Sequence, residues 1–313
     1  MKSLVRVAVV GECMLELQGE AFGAMRQTFG GDTLNTAVYL ARLAAGRAVE
    51  VQYATGLGED SLSEGLLTRW RAENVGTDLV KLVPGRMPGL YLIEVDGSGE
   101  RRFSYWRDHS AAKAYFDGPA SPLEKAAERF DVLYLSGISL AILPPAGRER
   151  LLALMAPMRS GGAVVAFDNN YRPRLWSDVA EARALFTRAL AQATLAFVTA
   201  DDHQALMGLP TLEDGVAAAR VLPTPELVIK RGGASTLVRH DGRWGEAPTE
   251  AVEHVVDTTA AGDSFAAGYL NRRLAGAAAL DAARFGNRVA ARVIQHRGAL
   301  IAPEVMADLV GAA

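Results

Sequence analysis

The stretch "DTTAAGDSFAAGYL", residues 257–270, sets Asp257 and Asp263 on either side of a run of small residues, at what reads as the start of a helix over 262–275. Gly262 and the alanines before it let a ligand come close to the backbone. Amides at a helix N-terminus have no intrahelical acceptors, so an anion such as a phosphate is their natural occupant. Asp263 in the first turn then reads in two ways. It offsets the positive end of the helix, an effect of about 0.3–1 kcal/mol. Alternatively, it is a general base taking a proton from a hydroxyl that attacks the phosphate, while the amides of Ala260, Ala261, Gly262 and Asp263 carry the developing charge. Spacing alone favours the first reading, because Asp is common near helix starts.

Upstream, "VRVAVV" (5–10), "VQYATG" (51–56), "DVLYLSG" (131–137), "AVVAFD" (163–168), "LAFVTA" (195–200) and "ELVIK" (226–230) are mostly continuous apolar runs. Such runs are the mark of strands covered on both faces. Helical patterns lie between them at 32–45, 61–73, 145–159, 178–192 and 213–221, and one over 280–296 closes the chain. The alternation predicts an α/β fold, a doubly wound and mostly parallel sheet with right-handed crossovers and flanking helices. One region breaks the rhythm. "GLYLIEVDGSGERRFSYW" (89–106) reads as two strands around the turn Asp96-Gly97-Ser98-Gly99. With 14–29 it predicts a small inserted β-sheet. Its Tyr91, Phe103, Tyr105, Trp106 and Arg107 suit a lid over a ligand, and equally an ordinary sheet edge or a dimer surface. The expectation is one compact domain over 1–313, with the lid drawn from about 12–30 and 88–108.

Composition narrows the classes. Lys and Arg total 33 against 36 Asp and Glu, a formal charge of -3, so no global basic field points to nucleic acid. Cys13 is alone, which excludes a disulfide within the chain and suits a reducing compartment. The first residues lack a sustained apolar core and cleavage site, and no apolar run is long enough to span a bilayer. A soluble cytoplasmic protein is expected.

A second motif, "FGGDTLNTAVYLARL" (29–43), places Gly30 and Gly31 before a helix. The glycines would let a sugar lie against the backbone, with Asn35 bonding its hydroxyls. A plain turn with Asp32 as N-cap explains them as well. A dinucleotide-binding dehydrogenase is disfavoured, because "VVGECM" after the first strand lacks the G-x-G-x-x-G spacing.

Together, "GGDTLN" and "DTTAAGDSFAAG" resemble the two signatures of the ribokinase (PfkB) family of carbohydrate kinases, and "GLGEDSLSEGLL" (56–67) resembles its segment after the second core strand. The resemblance runs in family order from residue 5 to about 298. Within the family it is nearest to the 2-keto-3-deoxygluconate kinases, through "GECMLEL", "GLYLIEVD", "RRFSYWRDHSAA", "FDNNYRPRLW" and the AAGD form of the second signature. It implies a ribokinase-like core with a β lid, and transfer of the γ-phosphoryl of ATP to the C6 hydroxyl of a sugar acid. In that setting Asp263 is the catalytic base.

Residue types give an independent reason for an acidic sugar. Arg107 and Arg172 each offer a planar fork that fits a carboxylate at two points. By position they resemble the family's substrate-reading arginines, although Arg174 lies two residues from Arg172. Tyr91 and Tyr105 match its substrate-contacting tyrosines. Glu16 falls at an acidic sugar contact, with a fold-stabilising role as the equal alternative. Unaligned, each of these reads as a surface Arg or a half-buried Tyr.

On the nucleotide side, "LVIKRGGASTLV" (227–238) resembles the strand–turn–strand beside the ATP phosphates. Lys230, Gly232, Gly233 and Gly262 are the candidates there, although a plain hairpin explains the glycines. Asn287 falls in the helix that lines the family's adenine pocket. The resemblance implies Mg²⁺ on the phosphates, without a directly assigned protein ligand, and leaves room for K⁺ near Asp257. Two departures stand out. Ala260 replaces a family Gly. Ala200 and His203 replace an Asn and a Glu that organise Mg²⁺, with Asp201 or Asp202 as the substitutes at hand. The rival readings are a kinase of a neutral sugar (fructose, tagatose or ribose) and a non-catalytic sugar or nucleotide sensor. A homo-oligomer joined through the lid is expected, with no nucleic-acid or membrane partner.

Overall fold

Alternate residues of the first strand, Val5–Val10, feed two separate apolar cores. Val7 and Val9 pack on one side of the sheet, and Ala8 and Val10 on the other. A strand covered on both faces needs this continuous apolar run, since its side chains alternate with period two. The computed structural model describes residues 4–20, 22–95 and 101–311. Its main sheet runs Arg243–Ala247, Ala234–His240, Glu226–Arg231, Leu195–Thr199, Val164–Asp168, Val132–Ser136, Val5–Val10, Val49–Ala54, Val75–Gly76. Every pairing from Val75–Gly76 to Glu226–Arg231 is parallel, and the last two strands turn back antiparallel.

Helices Asp32–Leu43, Ala261–Leu274 and Ala279–Val293 cover the face that holds Val7 and Val9. Pro145–Ser160 and Val179–Gln192 cover the other. The six expected strands and seven expected helices are all present, within a few residues of the expected ends. Three further helices, Pro122–Ala126, Gly137–Ile142 and Ala200–Met207, go beyond the sequence reading. The run "LAFVTA" stops as a strand at Thr199, and Ala200–Met207 is helical until Gly208 ends it in the left-handed region at φ 67°. Among the described residues no helix is long and apolar enough to cross a membrane.

The small sheet is present too. Its order is Met25–Gly30, Met14–Gly19, Gly89–Val95, Arg101–Trp106, with the central pair parallel and the outer pairs antiparallel. Residues 96–99, expected to form its turn, lie outside the described residues. The register sets Thr28, Glu16, Tyr91 and Tyr105 side by side across the four strands. Cross-strand neighbours share a face, so this row is one surface of the lid.

The helix carrying Asp263 is fixed by a close crossing. A Cβ on Gly268 would lie 3.1 Å from the Cα of Gly286, and a Cβ on Gly286 would lie 2.9 Å from the Phe265 ring and carbonyl. Helices Ala261–Leu274 and Ala279–Val293 therefore touch backbone to backbone there. Gly286→Ala should destabilise the fold by about 1–3 kcal/mol, as overpacking does. Urea unfolding that gives a wild-type free energy would show that the crossing has slack.

Candidate active site

In parallel α/β sheets polar residues gather where strands end, and ligands bind beyond the carboxyl edge. Ser136 closes the strand Val132–Ser136, Asp168 closes Val164–Asp168, and Lys230 sits one residue from the end of Glu226–Arg231. Asp32, at the first turn of Asp32–Leu43, reaches this edge. Its Oδ2 accepts hydrogen bonds from Ser136 Oγ at 2.5 Å and Asn170 Nδ2 at 2.7 Å. It is therefore not a capping side chain. Gly31 holds the cap position without a side-chain bond, and a Cβ there would lie 2.1 Å from the Glu12 carbonyl oxygen. Burial pushes the Asp32 carboxyl above the usual carboxylate range.

Asp263 faces the same cleft. Its Oδ2 accepts from Asn35 Nδ2 at 2.8 Å, while Asn35 Oδ1 is buried without a partner among the described residues. Gly30 borders the space beyond, since a Cβ there would meet the Tyr91 hydroxyl at 3.5 Å and Asn35 Oδ1 at 3.7 Å. Burial first, and then the negative charge of Asp32, push the Asp263 carboxyl up to about 8. Lys230 opposes this. Its Nζ is 2.8 Å from Asp168 Oδ2 and would lie 3.2 Å from a Cβ on Gly262. The ammonium thus sits beside the tip of Ala261–Leu274. Among the described residues the Gly262 and Asp263 amides have no backbone acceptor, whereas Ala261 N–H bonds the Thr258 carbonyl at 3.2 Å. Ala260, at the cap, takes φ 61° and ψ 13°, a left-handed conformation that explains why glycine suits this position.

The lid supplies the opposite wall. Tyr91 donates to Glu16 Oε2, Thr28 Oγ1 donates to Glu16 Oε1 at 3.0 Å, and Tyr105 stacks on Tyr91 at 5.8 Å. Glu16 thus bonds both neighbouring lid strands. Arg107 pairs with Glu12. The two later arginines separate. Arg172 holds both oxygens of Asp202 through Nη1, at 2.9 and 3.1 Å. Arg174 bonds the Tyr105 hydroxyl, with its guanidinium 4.4 Å from that ring's centre. A cavity of about 300 Å³ beside Tyr105 is lined by Arg107, Lys113 and Arg174 among others. Arg172 is still close enough to the cleft to feel the charges of Asp32 and Asp263.

Other expected residues are engaged in the fold. The Asn287 amide accepts from Thr236 at 3.0 Å and donates to the carbonyls of Ala247 and Pro248, so it ties its helix to two strands. Gly232, at φ 59°, makes the turn between Glu226–Arg231 and Ala234–His240, and a Cβ on Gly233 would meet open space. Asp202, a candidate substitute near the metal, is paired with Arg172. His203 is buried, its Nδ1 has no partner among the described residues, and burial lowers its pKa. Asp257 accepts from Thr259 and from the Gly298 amide. No group of three or more His, Cys, Asp or Glu among the described residues is arranged to hold a metal ion.

Sequence reasoning missed Asp32, Ser136, Asp168, Asn170 and Glu12 as site residues. The signal for Asp168 and Asn170 was their place at the end of a buried strand. Nothing local marks Ser136.

Residues 5–305 match the family model described as pfkB family carbohydrate kinase, and the chain belongs to that family. It is 48% identical over 306 residues to 2-dehydro-3-deoxygluconokinase of Escherichia coli strain K12, covering 96% of this chain and 98% of that protein. The same-named enzyme of Thermotoga maritima superposes with a TM-score of 0.81 at 21% identity, over 97% of this chain and 98% of that one. A fructokinase of Xylella fastidiosa with bound ATP gives 0.80 at 22% identity, over 97% of each chain.

The raised Asp263 carboxyl is protonated below its midpoint and ionised above it. Carboxyl-carbon NMR of the ligand-free protein should find that midpoint near 8, and Asp32→Asn should lower it by removing a like charge. A midpoint in the ordinary carboxylate range would contradict the burial described.

Proposed function

We propose that the chain is an ATP-dependent kinase that phosphorylates the C6 hydroxyl of 2-keto-3-deoxygluconate, the compound also called 2-dehydro-3-deoxygluconate. Near-half identity over almost the whole length to a relative of that name carries the reading. The site agrees chemically, because a sugar acid needs a cation in the sugar wall, and Arg107 lies there beside the Tyr91–Tyr105 stack.

In this reading the sugar lies between the lid and Asp32–Leu43. Tyr91, Tyr105, Arg107 and Arg172 bind the acid end, and the close approach at Gly30 and Gly31 admits the hydroxylated chain with Asn35 beside it. Asp263 takes the proton from the C6 hydroxyl as that oxygen bonds to the γ-phosphorus, and the bond from phosphorus to the ADP oxygen breaks. The Gly262 and Asp263 amides at the tip behind Ala260, and the Lys230 ammonium, meet the charge on the transferring group. The residues fit a nucleotide's phosphates, through unoccupied amide donors at a helix tip and a glycine that leaves room. Gly232 and Gly233 would lie alongside, and Asn287 would shape the adenine pocket as a strut. Mg²⁺, when bound with ATP, neutralises phosphate charge. The enzyme is read as cytoplasmic, where ATP is supplied.

The lid also supports a homo-oligomer. Its Trp106 is 60% exposed and lies on the face of its strand opposite Tyr105, an apolar surface that a second copy would cover. Trp106→Lys should then shift sedimentation from dimer to monomer. Identical sedimentation of both proteins would discard the lid as the interface.

Asp263→Asn should lower kcat by about 10²–10⁴ while leaving ATP affinity close to wild type. The rise of kcat/KM with pH through the Asp263 ionisation should vanish with it. Arg107→Ala and Arg172→Ala should each narrow the preference for the acid over neutral analogues. Comparable wild-type efficiency on fructose or ribose would favour a neutral-sugar kinase, and ATP binding without ADP release would favour a sensor.

A further inference from the structure

The chain crosses between core and lid four times, and all four crossings meet at Glu12. This residue lies between the core strand Val5–Val10 and the lid strand Met14–Gly19. Its carbonyl oxygen would lie 2.1 Å from a Cβ on Gly31, at the exit of Met25–Gly30. Its Oε1 would lie 2.9 Å from a Cβ on Gly89, the first residue of Gly89–Val95. Its Oε2 accepts from Nη2 of Arg107, the residue after Arg101–Trp106. A side chain at 31 would run into the Glu12 backbone, and one at 89 would displace the Glu12 carboxylate and Met14.

The Glu12–Arg107 pair is buried, with side chains 1% and 10% exposed. A buried guanidinium needs a counter-charge, and the best geometry engages both arms of the fork. Here one arm is engaged. Glu12 Oε1 and Arg107 Nε are both buried without a partner among the described residues. Leaving two such groups unpaired is unfavourable in the empty protein. A hydroxylated acid supplies what they lack, a carboxylate acceptor for Nε–H and a hydroxyl donor for Oε1.

We propose that Glu12 is a positioning residue for the sugar acid. Holding Arg107 through Nη2 alone, it keeps Nε–H available to the substrate carboxylate and ties that orientation to the root of the lid. The inference rests on the sugar-acid kinase reading, and it differs from a simple counter-ion role. Glu12→Asp keeps the charge and withdraws the carboxylate by one methylene. Glu12→Gln keeps the length and removes the charge.

The test is steady-state kinetics on the full chain, with KM for 2-keto-3-deoxygluconate and for ATP measured beside Tm. Both variants should raise KM for the acid about tenfold or more, with KM for ATP within about twofold. A wild-type KM for the acid in Glu12→Asp would reduce Glu12 to a counter-ion and overturn the proposal. Equal rises in both KM values with a lowered Tm would mark a general structural role and overturn it as well. If Glu12→Gln does not fold, Glu12→Asp carries the test alone. Wild-type protein that leaves the acid unphosphorylated removes the sugar-acid reading and this inference together. Wild-type turnover with unmoved variants removes the inference alone.

Discussion

Three carboxyl groups, Asp32, Asp168 and Asp263, gather at one edge of the sheet, and the Lys230 ammonium stands among them. Burial, with neighbouring negative charge, raises the Asp32 and Asp263 carboxyls above the usual carboxylate range. Much of the surrounding architecture serves this crowding. Ser136 and Asn170 hold Asp32, Asn35 holds Asp263, and the Gly268–Gly286 crossing fixes the helix on which Asp263 stands. A carboxyl poised by its neighbours rather than by solvent is how a fold obtains a base suited to neutral pH.

The fold was legible because its signal is repeated. Each core strand carries a continuous apolar run, each helix a periodic one, and no single misreading shifts the layers. "LAFVTA" shows where this fails, since Ala200 is as apolar as the strand before it and only the helical hydrogen bonds of Ala200–Met207 end the run. The site was legible in part. Motifs and family resemblance singled out Gly31, Asp263 and Lys230, and each lies near the strand ends that Asp32 reaches. Ser136, Asp32 and Asn170 come from three separate segments, and their hydrogen bonds exist only once the sheet order is set. The arginines show the same limit. Arg172 and Arg174 are equivalent as residue types, and tertiary partners, Asp202 for one and Tyr105 for the other, give them different places.

Ala260 shows what the departure from glycine amounts to. A left-handed residue with a Cβ is unfavourable by about 1–2 kcal/mol. Alanine also restricts the unfolded chain more than glycine, which returns part of that amount. The left-handed φ of 61° is kept all the same. The substitution therefore preserves the geometry and alters only its energetic margin.

The central pairing of the lid, Met14–Gly19 against Gly89–Val95, is parallel and joins segments separated by two core helices and core strands. A hairpin can zip from its own turn, but this pair cannot. Its ends come together only after Val49–Ala54 and Ser61–Ala72 have docked, because loop closure precedes the contacts that reward it. That pairing therefore depends on the core segments that lie between its two strands.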